Sequence, residues 1–258
     1  MLNEEIIQIN KFSKLHNGID IIFCKTDYIL NDFKTIGKLD HDIILITGNS
    51  DYAITDELCK IMPPNIKRWY AQNCLTNNEN VHPIPMGIEN KFDSIRSGHG
   101  ISYPGRVSLK EQLLCRDNEI ISTKMIYANF EIKTNIKHRS IVKNICVESN
   151  HIDWNSPSLS IKDFFNRILD YNMIVCPIGN GVDTHRLWEV LYSGRVPITI
   201  KVGDYKIYQL YKDLPIIVLN HIEELRDFNL IQDLYEKQLN KTLEKSFFSY
   251  WKKQILKG

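Results

Sequence analysis

The sequence predicts an α/β chain folded as two lobes, and three observations predict it. Short runs rich in β-branched residues alternate with segments of helical period. Those runs are apolar throughout rather than alternating, as strands covered on both faces of a parallel sheet are. The segment 89–108 (ENKFDSIRSGHGISYPGRVS) holds three glycines and a proline near mid-chain and reads as a linker. It divides the chain into an N-terminal lobe, 1–120, and a C-terminal lobe, 121–258, each a small Rossmann-like sheet. Ligands of such sheets lie beyond the carboxyl ends of the strands. A cleft between two of them suits a reaction with two substrates.

Taken in order, the predicted strands are 19–24 (IDIIFC), 42–47 (DIILIT), 81–85 (VHPIP), 124–128 (KMIYA), 173–177 (MIVCP), 196–200 (VPITI) and 215–219 (PIIVL). Helices are expected over 55–61, 135–149, 160–170, 183–193, 205–212 and 221–228, then along the tail from 229. The segment 160–170 shows the pattern well: Ser160 can cap it, and Ile161, Phe164, Phe165 and Ile168 fall on one face.

The 258 residues carry 32 Lys plus Arg against 31 Asp plus Glu, which argues against a nucleic-acid-coating protein. The six cysteines form no CxxC pair and no zinc-finger spacing, and several sit in apolar runs. Reduced thiols are expected. The start, MLNEEIIQIN, lacks the pattern of a signal peptide, and no apolar run approaches a membrane span. A cytoplasmic location is therefore expected. The tail 246–258 (SFFSYWKKQILKG) is aromatic and basic. It can rest on a membrane surface, which would place the protein at the inner face, or pack its aromatics on the core.

One stretch gathers the chemistry: 173–200, MIVCPIGNGVDTHRLWEVLYSGRVPITI. It reads as strand, glycine turn, capped helix, glycine and strand. Gly179 and Gly181 let backbone N–H groups approach a ligand, and the following helix start suits phosphate. Asp183 or Thr184 supplies the N-cap. Arg186 and Glu189, three apart, share one helix face, while Leu187, Val190 and Leu191 turn to the sheet. Arg186 can fork onto a diphosphate and Glu189 can hold ribose hydroxyls. The plainer alternatives are a surface ion pair between Arg186 and Glu189, a purely structural cap at Asp183, and a packing role for Trp188. His185 can touch a phosphate or simply begin the helix. Taken together, these residues converge on one strand-to-helix turn.

The run CPIGNGVDTHRLWEVLYSGRVPI resembles the donor-binding segment of exostosin-like glycosyltransferases, ribitol xylosyltransferases among them. The shared positions are Pro177, Gly179, Gly181, Asp183, Arg186, Trp188, Glu189, Leu191, Gly194 and Pro197. The resemblance implies a compact GT-B glycosyltransferase fold with a nucleotide-sugar, expected to be UDP-linked, on the C-terminal lobe. It further implies Asn129 at a strand end and Arg139 as a second phosphate ligand; the alternative for Arg139 is a solvated residue in the basic run KHR. Thr47–Asp51 (TGNSD), 68–73 (RWYAQN) and 82–87 (HPIPMG) look like further landmarks. The Glu-x7-Glu pair of many GT-B enzymes is absent, since Gly181 stands eight before Glu189. An inverting transfer is the expectation.

Such a transfer needs a base on the acceptor side. Asp51 is the first choice, with Asp27 and Glu89 as alternatives, and an Asx-turn role for Asp51 equally open. No DxD sequence occurs at a strand end, so no metal and no cofactor are expected beyond the nucleotide-sugar. The expected partners are that donor and a glycan or lipid-linked saccharide acceptor. No nucleophile elbow and no first-strand GxGxxG occur, which disfavours a hydrolase and a dinucleotide oxidoreductase. A non-catalytic nucleotide- or carbohydrate-binding protein on the same fold is the alternative function.

Overall fold

The structure, a computed structural model, describes residues 5–89, 122 and 124–257. The expected linker beyond Glu89, the 120/121 boundary and Cys115 lie outside the described residues.

The N-terminal half runs β1 (Ile21–Lys25), α1 (Ile29–Ile36), β2 (Ile43–Gly48), β3 (Ile54–Thr55), α2 (Asp56–Lys60), β4 (Ile66–Ala71), β5 (Cys74–Leu75) and β6 (Val81–Pro83). Its main sheet has the order β1-β2-β4-β6 with every neighbour parallel, and β3 and β5 form a small parallel pair. The short pair β3 and β5 was not expected, nor were α1 and β4. In α1 the buried residues Ile29, Phe33 and Ile36 follow helical spacing, but no side chain caps the start. In β4, Lys67 and Arg68 interrupt the apolar run between the buried Ile66 and the buried Trp69, Tyr70 and Ala71.

The C-terminal half runs β7 (Lys124–Ala128), α3 (Ile136–Glu148), β8 (Ile152–Trp154), α4 (Ile161–Ile168), β9 (Tyr171–Val175), α5 (His185–Tyr192), β10 (Val196–Ile200), α6 (Lys206–Lys212), β11 (Ile217–Leu219), α7 (Phe228–Glu236) and α8 (Phe248–Leu256). Ser160 caps α4 as expected, accepting from the Asp163 N–H at 3.1 Å. The helix expected over 221–228 is a 3₁₀ turn, Ile222–Arg226. The chain breaks at Asp227, whose carboxylate accepts from Leu230 N–H and starts α7 instead. The edge strand β8 is too short to announce itself in the sequence.

This sheet has the order β11-β10-β9-β7-β8, all parallel. Counted within the half, the second strand stands outside the first, and the third to fifth follow on the other side. The order therefore reverses between β7 and β9, the switch point where doubly wound sheets open a crevice beyond their strand ends.

One apolar cluster joins the halves: Ile46, Tyr70, Ile84 and Met86 pack with Phe164, Trp188, Trp251 and Ile255. The tail returns to the chain start. Ile6 bridges Phe247, Phe12 meets Phe248 edge-on at 5.6 Å, and Tyr192 Oη donates to Ser246 O while accepting from Ile7 N–H. Trp251 and Ile255 of α8 are buried, leaving Lys252, Lys253 and Gln254 outward. The apolar side that would meet a membrane is thus spent on the core. No helix among the described residues is long and apolar enough to cross a membrane.

The described cysteines are all free and buried. Burial pushes the thiols of Cys24, Cys74, Cys146 and Cys176 up to about 12, which keeps them protonated and unreactive at neutral pH.

Candidate functional site

The connection from β9 to α5 crosses the junction between the halves, and its close contacts are with protein. Asn73, at the end of β4 with φ +49°, donates from Nδ2 to Ser50 O at 3.0 Å. Its Oδ1 accepts from Asp183 N–H at 2.9 Å. A Cβ on Gly181 would lie 2.6 Å from that same Oδ1, so glycine is required for this approach. The Gly179 N–H is occupied by Gly181 O at 3.0 Å. The N–H groups of Gly179 and Asp183 are therefore turned inward and are not offered to a phosphate.

Asp183 is 1% exposed and its carboxylate is fully engaged. Oδ2 accepts from Met86 N–H at 2.7 Å; Oδ1 accepts from Trp188 Nε1 at 2.7 Å and Tyr211 Oη at 2.8 Å. Burial pushes this carboxyl up to about 6 although four donors, Thr184 N–H included, pull it down. Thr184 is the N-cap residue of α5 by position, but its side chain makes no capping bond. His185 Nδ1 lies 2.7 Å from Gly87 O, another contact across the junction. Gly181, Asp183, Thr184 and His185 thus lie at the contact between the halves.

The remaining residues gather at the switch point. Arg139 is buried and donates to three backbone carbonyls: Nε to Ile178 at 2.7 Å, Nη1 to Glu131 at 2.6 Å and Nη2 to Pro177 at 3.2 Å. Burial, then repulsion from Arg186, lowers it to about 10, so it remains charged at neutral pH. It is neither a solvated residue nor open to a ligand along those donors. A Cβ on Gly179 would press within 3.1 Å of its Nη2.

Arg186 is different. Its side chain keeps 30% exposure, with Nη1 donating to Asn129 O at 2.7 Å and the guanidinium 3.7 Å over the Phe164 ring. Nε stands 3.3 Å from the buried Glu189 carboxylate, an ion pair without an aligned hydrogen bond. Asn129 donates to Asn155 O and Ser156 O, fixing the loop after β8 beside it. The result is a preoriented, partly open cation, held flat by an aromatic ring and a buried acid.

Asn180, in the β9–α5 turn, also lines a cavity of about 460 Å³ with Lys25, Asp27, Asn49, Ser50, Asp51 and Tyr52 of the first sheet's strand ends. That volume lies within the range of small-ligand sites. Asp51 accepts from Asn180 Nδ2 at 3.1 Å, and Asp27 pairs with Lys25 at 3.4 Å. Glu89 does not line the cavity. Among the described residues no cluster of three or more His, Cys, Asp or Glu is placed to hold a metal ion.

Sequence reasoning missed Asn73, Asn180 and Phe164. Asn73 falls in the 68–73 landmark and asparagine is a usual bearer of a left-handed turn, but β4, which ends two residues before it, was not expected. Phe164 was read correctly as a core residue, but nothing in the sequence brings α4 under Arg186. Neither a protein-family model nor a curated protein matches this chain.

Proposed function

We propose that the protein is a glycosyltransferase that takes a sugar from a nucleotide-sugar, UDP-linked by preference, to a glycan or polysaccharide-precursor acceptor, with inversion and without a metal. The observation that carries this reading is Arg186, partly open at the switch point of the second sheet and backed by Glu189 and Phe164. The similarity of 173–200 to exostosin-like enzymes supports it, as does the cavity that Asp27 and Asp51 line with Asn180 of the same turn. On this reading the two sheets are the lobes of a compact GT-B fold.

In the reaction, the bond from the anomeric carbon to the diphosphate oxygen breaks as the acceptor oxygen bonds the opposite face of that carbon. The acceptor proton passes to a carboxylate, and the diphosphate leaves with its charge toward Arg186. Asp51 is the preferred base, because Asp27 would first have to break its ion pair with Lys25. Among the described residues Asp51 is held only by the Asn180 amide, which an incoming hydroxyl can displace. Asn129 and Glu189 position Arg186, and Glu189 can also accept from a ribose hydroxyl.

The test is a thermal-shift screen against UDP, GDP, CMP, ADP and dTDP, with and without EDTA, followed by assay of nucleotide release from the matching sugar donors. A ligand bound to the folded state alone raises the melting temperature by mass action. Stabilisation by one nucleotide, insensitive to EDTA and lost in Arg186→Ala, is the expected result. No response to any nucleotide would refute the donor site; a response without turnover on any acceptor would leave a binding protein.

A further inference from the structure

A second cavity, of about 430 Å³, lies between the outer edge of the first sheet and the returning tail. It shares no lining residue with the strand-end cavity. Its walls come from β4 and β6 on one side and from α6, the turn before α8 and α8 on the other. Arg68, Lys206 and Lys245 line it, against one carboxylate, Asp213.

The cations differ in how they are engaged. Lys206 Nζ donates to Val81 O at 3.1 Å and also to Asn78 O, and Lys245 Nζ pairs with Asp213 at 2.6 Å. Arg68 is half-buried and has no hydrogen bond or ion pair among the described residues. A guanidinium held in a concave site without a counter-charge is a ready partner for a carboxylate or phosphate, which its fork can grip in two places. His82, half-buried beside it, is lowered by burial and then by Lys206 and Arg68, and so adds no charge of its own at neutral pH. An anion entering the cavity therefore meets excess positive charge.

The rest of the lining is aromatic and amide. Tyr70 and His82 pair with each other at 5.3 Å, and the Trp251 indole N–H is spent on Lys245 O. Tyr250 is half-exposed, and Gln209 and Gln254 are exposed at the rim. The half-exposed Tyr250 ring, with Lys245 Nζ 5.7 Å from its centroid and amide groups beside it, suits the apolar face and hydroxyls of a pyranose. A nucleotide base would find no pair of free ring faces to enter between.

We infer that this cavity binds an acidic sugar unit, a pyranose bearing one carboxylate or phosphate, with the anion on Arg68 and the ring against Tyr250. The inference does not depend on the proposed activity. If that activity holds, the site docks an acidic glycan away from the transfer centre.

Isothermal titration of the full chain with glucuronate, glucose 6-phosphate, glucose, inorganic phosphate and UMP tests it. The acidic sugars should bind at least tenfold more tightly than glucose or phosphate, and whichever of the two is tighter identifies the anion. Arg68→Gln should reduce them to the level of glucose, and Tyr250→Ala should weaken them about tenfold. The thermal shift given by the preferred nucleotide should be unchanged in Arg68→Gln, which separates failure here from failure of the donor site. Equal binding of glucose and glucuronate, an unaltered Arg68→Gln, phosphate binding as tightly as glucose 6-phosphate, or preference for UMP would each overturn the inference.

Discussion

Replacing Asp183 by alanine tests whether this residue fastens the two halves together. The substitution removes the acceptor of Met86 N–H, Trp188 Nε1–H and Tyr211 Oη–H, all buried. A buried donor left without a partner costs about 1–3 kcal/mol, so the three together cost roughly 3–9 kcal/mol. Relief of a buried charge returns part of this. Asp183 is held at about 6 against an ordinary 3.8, so its ionised form is disfavoured on folding by about 3 kcal/mol at neutral pH. The middle of that range leaves a net loss of about 3 kcal/mol, a fall of roughly 6–12 °C in melting temperature for a chain of this size. The decisive assay is a double-mutant cycle with Tyr211→Phe followed by thermal or urea unfolding. In the wild type, removing the Tyr211 hydroxyl loses a hydrogen bond and should cost about 1 kcal/mol. In the Asp183→Ala background the same change removes an orphaned hydroxyl and should be neutral or stabilising. Equal costs in both backgrounds, or an Asp183→Ala protein melting within 1 °C of wild type, would refute the reasoning.

The same carboxyl sets a pH dependence. Its folded value lies above its unfolded one, so the folded state keeps a proton that the unfolded chain has released. Its favourable contribution is complete below 3.8 and is lost as pH rises to about 6. Asp183→Asn should flatten that part of the stability curve, and an unchanged slope between those values would count against the assignment. Gly181→Ala should destabilise by about 1–3 kcal/mol through its clash with Asn73, seen as an earlier urea midpoint, and Asn73→Ala should partly rescue it. Arg186→Ala should fold normally and lower turnover by about a hundredfold in a nucleotide-release assay, as loss of a charge-stabilising donor does. Trp251→Ala should cost about 3 kcal/mol in thermal unfolding, since α8 is anchored by that ring.

Much of the fold was legible because buried parallel strands write themselves as apolar runs, and β2, β7, β9 and β10 follow the expected segments closely. Elements failed to show where apolar content is shared out. β4 carries Lys67 and Arg68 on its outer half, β8 spans only Ile152–Trp154, and α1 has no cap. The segment 173–200 does form strand, turn, helix and strand, with Leu187, Val190 and Leu191 buried as expected.

The roles inside that turn were harder to read, for a physical reason. A glycine tells that another group must come close, not what that group is. At Gly181 it is the Asn73 amide, and at Gly179 the Arg139 guanidinium. An aspartate before a helix tells that donors are near, but Asp183 takes its donors from Met86, Trp188 and Tyr211, residues 97, 5 and 28 positions away. Arg139 likewise read as a phosphate ligand or a solvated cation, because its carbonyl partners, Pro177 and Ile178, are 38 and 39 positions distant. Arg186 alone among these groups combines a charge, fixed orientation and exposure, and its partners Glu189 and Asn129 anchor it from inside one helix and one adjacent strand end. Local pattern therefore located the turn, whereas long-range contacts decide which of its residues remain for a ligand. That division is why Arg186 is the residue whose substitution discriminates most sharply between a structural turn and a donor site.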